Sequence, residues 1–179
     1  MNVRVIAGEY GGRQLACPPG ERTHPMGERV RGSLFNIVGD LTGKNILDAF
    51  AGSGAMGFEA LSRGARQVTF VERDKVAQRV ISENITTLSV DEQTKLIKTS
   101  VAQWDETAEK ELFDIIFADP PYHDTQISTV TRLVKYLKPN GLMVLSYPGR
   151  ESVPTVNGVV VVDNRSYGDA ALAFYRLEV

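Results

Sequence analysis

Four consecutive residues, Asp119, Pro120, Pro121 and Tyr122, combine an acid, two rigid imino acids and an aromatic ring. They follow the apolar run 113–118, which predicts a strand that ends in a fixed turn. The Asp119 carboxylate and the Pro120 carbonyl can accept hydrogen bonds from both N–H groups of an exocyclic amine, and the Tyr122 ring can stack on a flipped-out base. Because proline fixes φ, the acceptors are held with little entropy left to lose. The segment predicts a site that activates the amino group of a nucleobase without a metal.

A glycine-rich segment earlier in the chain predicts a nucleotide-type ligand. Gly52, Gly54 and Gly57 have G-x-G-x-x-G spacing after the apolar run 46–50, and Glu72 lies twenty residues beyond Gly52. This pattern is typical of dinucleotide binding, so a nicotinamide-dependent dehydrogenase is one hypothesis. The second hypothesis is S-adenosylmethionine. Asp48, at the strand end, is expected to point into the cleft, where it would repel a pyrophosphate and attract an ammonium and a sulfonium.

The elements that must position these residues follow from hydrophobic periodicity. Short apolar runs alternate with amphipathic stretches, which predicts a parallel sheet with helices on both faces. Gly64 and Gly141 follow the first and the last of these helices and are expected to cap them. A turn-rich link at 163–169 is expected to join two final strands in an antiparallel edge pair. The predicted strands are 46–50, 68–72, 96–98, 113–118, 142–146, 153–162 and 171–179, and the predicted helices are 55–63, 74–88, 101–110 and 127–137.

Residues 1–43 differ from the remainder in their basic side chains, with five arginines and no lysine. Alternating residues predict a β-hairpin over the first 20 positions, and the apolar spacing from 30 to 38 predicts a helix. Guanidinium groups pair bidentately with phosphate, so we expect this extension to contact RNA and residues 44–179 to form the catalytic domain. The arginines expected to contact RNA are Arg4, Arg13, Arg22, Arg29 and Arg31.

The composition excludes several classes of protein. The chain has 179 residues, 42% hydrophobic and 23% charged, with a net charge of −2, which is typical of one globular unit rather than a disordered or nucleic-acid-coating chain. A single cysteine, Cys17, excludes an internal disulfide. With no signal peptide and no apolar run long enough to span a membrane, we expect a cytoplasmic protein without membrane partners. His24 and His123 lie in no metal-ligand pattern, so no metal is expected.

Together the two motifs resemble those of class I S-adenosylmethionine-dependent amino-methyltransferases. Across essentially the whole chain the sequence is similar to the RsmD-type family, which methylates N2 of a guanine in 16S ribosomal RNA. The resemblance implies a Rossmann-like, seven-stranded, mostly parallel sheet with an antiparallel edge hairpin, preceded by a β-hairpin and a helix. The implied partner is 16S ribosomal RNA. Because few residues remain for target selection, we expect it to be bound within an assembled or assembling small subunit, and we expect a monomer. The matching segments are 4–8, 12–15, 29–31, 34–36, 47–54, 59–65, 70–72, 119–122 and 167–169, together with Asn84.

The resemblance also assigns site residues. Met26 and Gly32 depart from the family pattern, which has a threonine and a glutamate there, and Ser100 stands where many class I enzymes have an aspartate that meets adenine. An amino-methyltransferase acting on adenine N6 and a catalytically silent cofactor-binding module stay open as alternatives. The residues expected to bind S-adenosylmethionine are Asp48, Phe50, Ala51, Gly52, Ser53, Gly54, Gly57, Glu72, Arg73, Ser100 and Val101.

Overall fold

Short strands and the helices between them build one α/β unit. The computed structural model describes residues 2–19 and 26–178. The strands are β1 Asn2–Arg4, β2 Gln14–Ala16, β3 Asn45–Ala49, β4 Gln67–Val71, β5 Thr94–Ile97, β6 Phe113–Ala118, β7 Leu137–Pro148, β8 Val159–Tyr167 and β9 Ala170–Leu177. The α-helices are α1 Glu28–Val38, α2 Ala55–Ser62, α3 Lys75–Leu88, α4 Val101–Thr107 and α5 Ile127–Arg132, and short 3₁₀ helices occupy Asp91–Gln93 and Leu133–Tyr136.

Seven of these strands form one sheet in the order β5-β4-β3-β6-β7-β9-β8. The first five in this order pair in parallel, whereas β9 is antiparallel to both β7 and β8. The predicted fold class, a mostly parallel Rossmann-like sheet with an antiparallel edge hairpin, is therefore confirmed. No helix within the described ranges is long and apolar enough to cross a membrane.

Alternation along the strands gives the sheet two apolar faces. Ile46 of β3 packs into a core with Phe58 and Phe70, whereas its neighbour Leu47 packs on the opposite face with Trp104. Successive side chains of a strand point to opposite faces, so a fully apolar strand needs helices on both sides. The first face is covered by α1, α2 and α3, and the second by α4 and α5.

The N-terminal hairpin packs directly on the first face. Val5 and Leu15 are buried in the same core as Phe58. Asn84 of α3 fixes β2 because its amide accepts from Ala16 N at 2.9 Å and donates to Ala16 O at 3.0 Å. The predicted hairpin and the helix that follows it are confirmed. The division at residue 43 falls in the turn before β3 and stays a prediction.

Three sequence predictions about local structure were wrong. The predicted strand 153–162 begins only at Val159. Gly141 caps no helix, because the chain tightens into a 3₁₀ turn and enters β7 at Leu137. A side chain at Gly141 would lie 2.7 Å from Lys138 O, so this glycine permits a close backbone approach. The expected link at 163–169 is mostly strand β8, and only the tip at 168–169 turns. Its polar residues indicated a loop, but they lie on an exposed edge strand, where Arg165 pairs with Asp163 at 3.1 Å.

Candidate active site

A cleft of about 760 Å³ opens at the carboxyl edge of the sheet. It lies beside β3 and β6, which are adjacent parallel strands with β4 and β5 on one side and β7 on the other. The chain order of the strands reverses at this point, which is where open α/β sheets bind ligands. The loops after β3, β4, β5 and β6 line the cleft, together with Ser146 of β7 and residues from the extension. The predicted site residues that line it are Phe50, Ala51, Gly52, Ser53, Glu72, Arg73, Ser100, Val101, Asp119, Pro120, Pro121 and Tyr122.

The turn after β3 depends on unusual backbone conformations. Phe50 has φ of 57°, which is rare for a bulky residue, and Gly52 has φ of 59°. Gly52 N donates to Glu72 Oε1 at 2.7 Å, and Asp74 N donates to Glu72 Oε2, also at 2.7 Å. Burial raises the pKa of Glu72, and these backbone hydrogen bonds oppose that effect. Backbone donors hold both carboxylate oxygens, and a carboxylate oxygen can accept more than one hydrogen bond, so Glu72 is a fixed acceptor that lines the cleft.

Gly54 and Gly57 do not line the cleft but let α2 pack on the sheet. A side chain at Gly57 would lie 2.3 Å from Phe70 Cε1, and one at Gly54 would lie 2.7 Å from Phe58 Cε2. Gly54 also has φ of 81°, which favours glycine. The structure therefore gives both glycines a packing role, and their expected contact with a cofactor stays a prediction.

Asp48 requires a correction. Its carboxylate was expected to point into the cleft, but it is 2% exposed and accepts a hydrogen bond from Gly57 N at 3.0 Å beneath the turn. Burial raises its pKa well above the ordinary value, and the nearby charges of Asp119 and Glu72 add to the effect. Asp48 therefore shapes the glycine turn from below, and contact with a ligand is not available to it in this conformation.

The segment 119–122 forms the opposite wall of the cleft. Asp119 is partly buried, and burial raises its pKa to about 6 despite a hydrogen bond from Ser146. Tyr122 is 40% exposed, and its hydroxyl lies 2.7 Å from Ser146 Oγ. A carboxyl with a raised pKa beside a rigid turn in a cleft is typical of a functional group rather than of a surface acid.

The residues that the sequence predicts to meet adenine lie at the start of α4. Ser100 caps this helix, because its Oγ accepts from Gln103 N at 3.1 Å. Ser100 and Val101 line the cleft beside Arg73, which is exposed. The Ser100 side chain is thus engaged with the helix backbone.

The five predicted RNA-binding arginines have different environments. Arg4 and Arg13 are exposed; Arg4 Nε pairs with Glu28 at 2.9 Å, and Arg13 donates to Thr87 O at 3.0 Å. Arg29 is exposed as well. Arg31 was expected to contact RNA, which is wrong for this conformation, because it is 2% exposed and lies 3.7 Å from the buried Glu59 carboxylate. Arg22 lies outside the described residues.

Sequence reasoning missed several residues of the cleft. Ser146 could have been found, since it ends the predicted strand 142–146 at the same sheet edge as Asp119. Met26, Gly27 and Val30 come from the extension and line the cleft too. Met26 was noted only as a departure from the family pattern, and no motif marks Gly27 or Val30, because their position depends on how α1 packs. Among the described residues there is no group of three potential metal ligands.

The strand order, the glycine turn after β3 and the acceptor segment after β6 define a Rossmann-like class I methyltransferase fold. A family model described as Conserved hypothetical protein 95 matches residues 3–176. The chain belongs to this family, and its predicted resemblance to RsmD-type methyltransferases is confirmed.

Individual relatives agree with this assignment. Ribosomal RNA small subunit methyltransferase D of Haemophilus influenzae is 33% identical over 180 residues, which cover 97% of this chain and 93% of that protein. The solved structure of yhhF from Escherichia coli is 29% identical with a TM-score of 0.88, and the match covers 99% of both chains. SMU.776, solved in complex with SAH, matches 83% of this chain and 48% of its own at 18% identity and a TM-score of 0.69, which supports the fold alone.

Proposed function

We propose that this protein transfers a methyl group from S-adenosylmethionine to the exocyclic N2 of a guanine in 16S ribosomal RNA. The observation that carries the proposal is that two acidic hydrogen-bond acceptors line the same cleft. The fixed Glu72 acceptor lies on one side, and the partly buried Asp119 in a rigid proline turn lies on the other. The family assignment and the name of the H. influenzae relative support ribosomal RNA as the substrate class.

The cleft residues on and near the turn after β3 fit an adenosyl ligand. Glu72 offers two preorganised oxygens for a ribose diol, and Gly52 lets the backbone approach closely. Phe50 and Val101 give apolar surface for an adenine ring, and the cleft volume lies within the range of small-molecule sites. When bound, S-adenosylmethionine supplies an electrophilic methyl group on a sulfonium. Asp48 contributes indirectly, by holding Gly57 under the turn.

The segment 119–122 can increase the nucleophilicity of an aromatic amine. The lone pair of an exocyclic amino group is delocalised into the ring, so the nitrogen is a weak nucleophile. The Asp119 carboxylate and the Pro120 carbonyl can hold both N–H groups and favour a more pyramidal nitrogen. Tyr122 offers an exposed ring face for the extruded base. Alignment of the amine then carries much of the barrier reduction.

Replacement of Glu72 by glutamine is expected to weaken S-adenosylmethionine binding by about tenfold to a hundredfold, because one charged acceptor is lost and the amide presents a donor to the ribose or to Gly52 N. Calorimetry with the purified variant measures this. The matched control is Glu83→Gln on the exposed face of α3, which should leave affinity unchanged. Equal affinities for wild type and Glu72→Gln would exclude Glu72 from the cofactor site.

The same calorimetry separates the proposal from a dehydrogenase. We expect binding of S-adenosylmethionine and none of NAD; binding of NAD alone would overturn the proposal. The target base is tested with ribosomal RNA from cells that lack this protein, methylated in vitro and analysed by mass spectrometry. N2-methylguanine supports the proposal, N6-methyladenine supports the alternative amino-methyltransferase, and no product supports a silent cofactor-binding module.

The proposed partner is 16S ribosomal RNA in an assembling or assembled small subunit in the cytoplasm, bound by a monomer. Residues 1–43, which we place outside the methyltransferase domain, offer little surface for sequence reading, so the particle itself would present the base. Arg4, Arg13 and Arg29 are the exposed candidates for phosphate contact. Methylation of naked RNA and of subunits, compared at one salt concentration, tests this part.

A further inference from the structure

A single buried hydroxyl joins the acceptor segment to the sheet. Ser146 is 3% exposed and lines the cleft, and its Oγ lies 2.7 Å from the Tyr122 hydroxyl. A hydrogen bond from Ser146 also lowers the pKa of Asp119 against the effect of burial. The hydroxyl can therefore accept from Tyr122 while it donates to Asp119, so one side chain contacts both polar groups of the segment.

Ser146 is held more rigidly than the segment it contacts. Ala118 of β6 pairs with Leu145 of β7, so Ser146 follows in register beside Asp119 at the sheet edge. On its other side Ser146 pairs with Leu172 of β9. Tyr122, by contrast, is an exposed loop residue, and a ring of that kind samples several rotamers unless it is tethered.

We propose that Ser146 is a positioning residue of the acceptor site, whose buried hydroxyl on β7 fixes the Tyr122 ring and the Asp119 carboxylate in one geometry. The inference rests on the proposed function for its activity readout. Without the hydroxyl, the ring loses its anchor and the carboxylate loses a donor. The amine of the substrate would then meet a carboxylate that is protonated over a wider pH range.

Several other titratable groups lie around Asp119, and one of them, Tyr122, also loses its hydrogen bond when Ser146 is replaced. Asp48 lies below the turn at the end of β3 and interacts electrostatically with Asp119, and Tyr122 does so from the same segment. The remaining titratable residues that line the cleft are Glu72, Arg73, Asp74 and His123. The pKa of Asp119 is raised by burial and lowered by the hydrogen bond from Ser146, so removal of the Ser146 hydroxyl has an effect of defined direction.

The test compares Ser146→Ala with wild type in rate profiles for ribosomal RNA methylation. We expect a lower kcat with little change in KM for S-adenosylmethionine. Since loss of the donor raises the pKa of Asp119, the acid limb of the pH–rate profile should move to higher pH. The decrease in kcat relative to wild type should be about threefold larger at pH 6 than at pH 8. Ser146→Thr keeps the hydroxyl, so its acid limb should lie at the same pH as that of wild type. Tyr147→Phe is the matched control on β7, because its hydroxyl bonds Asn164 away from the cleft.

A second readout needs no substrate. Carboxyl carbons of labelled aspartate are titrated by NMR, and Asp119→Asn identifies the Asp119 signal. A higher pKa of Asp119 in Ser146→Ala, but not in Tyr147→Phe, supports the proposal. An unchanged Asp119 titration, or an equal change in both variants, overturns it. If wild type fails to methylate ribosomal RNA, the proposed function fails, while this titration still decides whether Ser146 acts on Asp119.

Discussion

Asp119→Asn is expected to lower the methylation rate by roughly 10²–10⁴-fold while leaving S-adenosylmethionine affinity unchanged. The amide keeps one acceptor oxygen, but its NH₂ group turns a donor toward an amine that needs two acceptors. Single-turnover kinetics with ribosomal RNA measure the rate, and calorimetry measures the cofactor affinity. Asp124→Asn is the matched control, because Asp124 is an exposed acid of the same loop that does not line the cleft.

The same substitution is expected to stabilise the fold at neutral pH. Burial raises the pKa of Asp119 to about 6, above the ordinary value for an unfolded chain, so the folded state binds more protons between these two pKa values. Folded-state stability therefore falls as pH rises through this window, and above it the ionised carboxylate costs about 3 kcal/mol. Asp119→Asn removes that cost at pH 7.5 but gains nothing at pH 3, where both states of wild type are protonated.

Thermal unfolding at the two pH values tests whether Asp119→Asn stabilises the fold. A higher Tm for Asp119→Asn at pH 7.5, with equal values at pH 3, is the expected pattern, and Asp124→Asn should show neither change. Retained turnover in Asp119→Asn would remove Asp119 from the mechanism. A stability unchanged at pH 7.5 would mean that the carboxylate is better solvated than its position indicates.

The fold could be predicted because its determinants are local. Apolar runs of strand length, amphipathic spacing and the proline turn each act within a few residues, and the parallel arrangement follows from the alternation of strands and helices. The prediction failed at β8, where Asp163 and Arg165 form an exposed edge and polar composition no longer distinguishes strand from loop. The prediction that Gly141 caps a helix was wrong for a related reason, because glycine occurs at close backbone contacts as well as at helix ends.

The site was predictable only where a residue's role depends on its place along a strand. Glu72 and Asp119 follow strand ends and line the cleft as predicted. Asp48 also ends a strand, but it points below the turn, because the buried Gly57 N–H needs an acceptor there. Ser146 and Met26 enter the cleft from elements distant in sequence, and only tertiary packing brings them there.

Arg31 is where local composition was most misleading, and its surroundings indicate a structural role. Glu59 of α2 accepts hydrogen bonds from Ile6 N at 2.8 Å and Arg63 Nε at 2.9 Å, and it attracts Arg31 at 3.7 Å. Arg31 in turn donates to the backbone carbonyl of Met26 at 3.3 Å. Burial lowers the pKa of Arg31 and the charge of Glu59 opposes that effect. The pair therefore ties the extension, including a wall of the cleft, to the helix that follows the glycine turn.

Arg31→Met is consequently expected to lower the free energy of unfolding by about 3 kcal/mol, because it leaves the buried Glu59 with one cationic partner and the extension without its anchor. Urea denaturation measures this loss. The matched control lies two positions away, where Arg29→Met removes an exposed guanidinium. The free energy of unfolding should then change by less than about 0.5 kcal/mol. The rate of ribosomal RNA methylation should fall, and it should depend less steeply on salt concentration. Equal stability of the two variants would contradict the structural role of Arg31, and it would return Arg31 to the group of arginines that are expected to contact RNA.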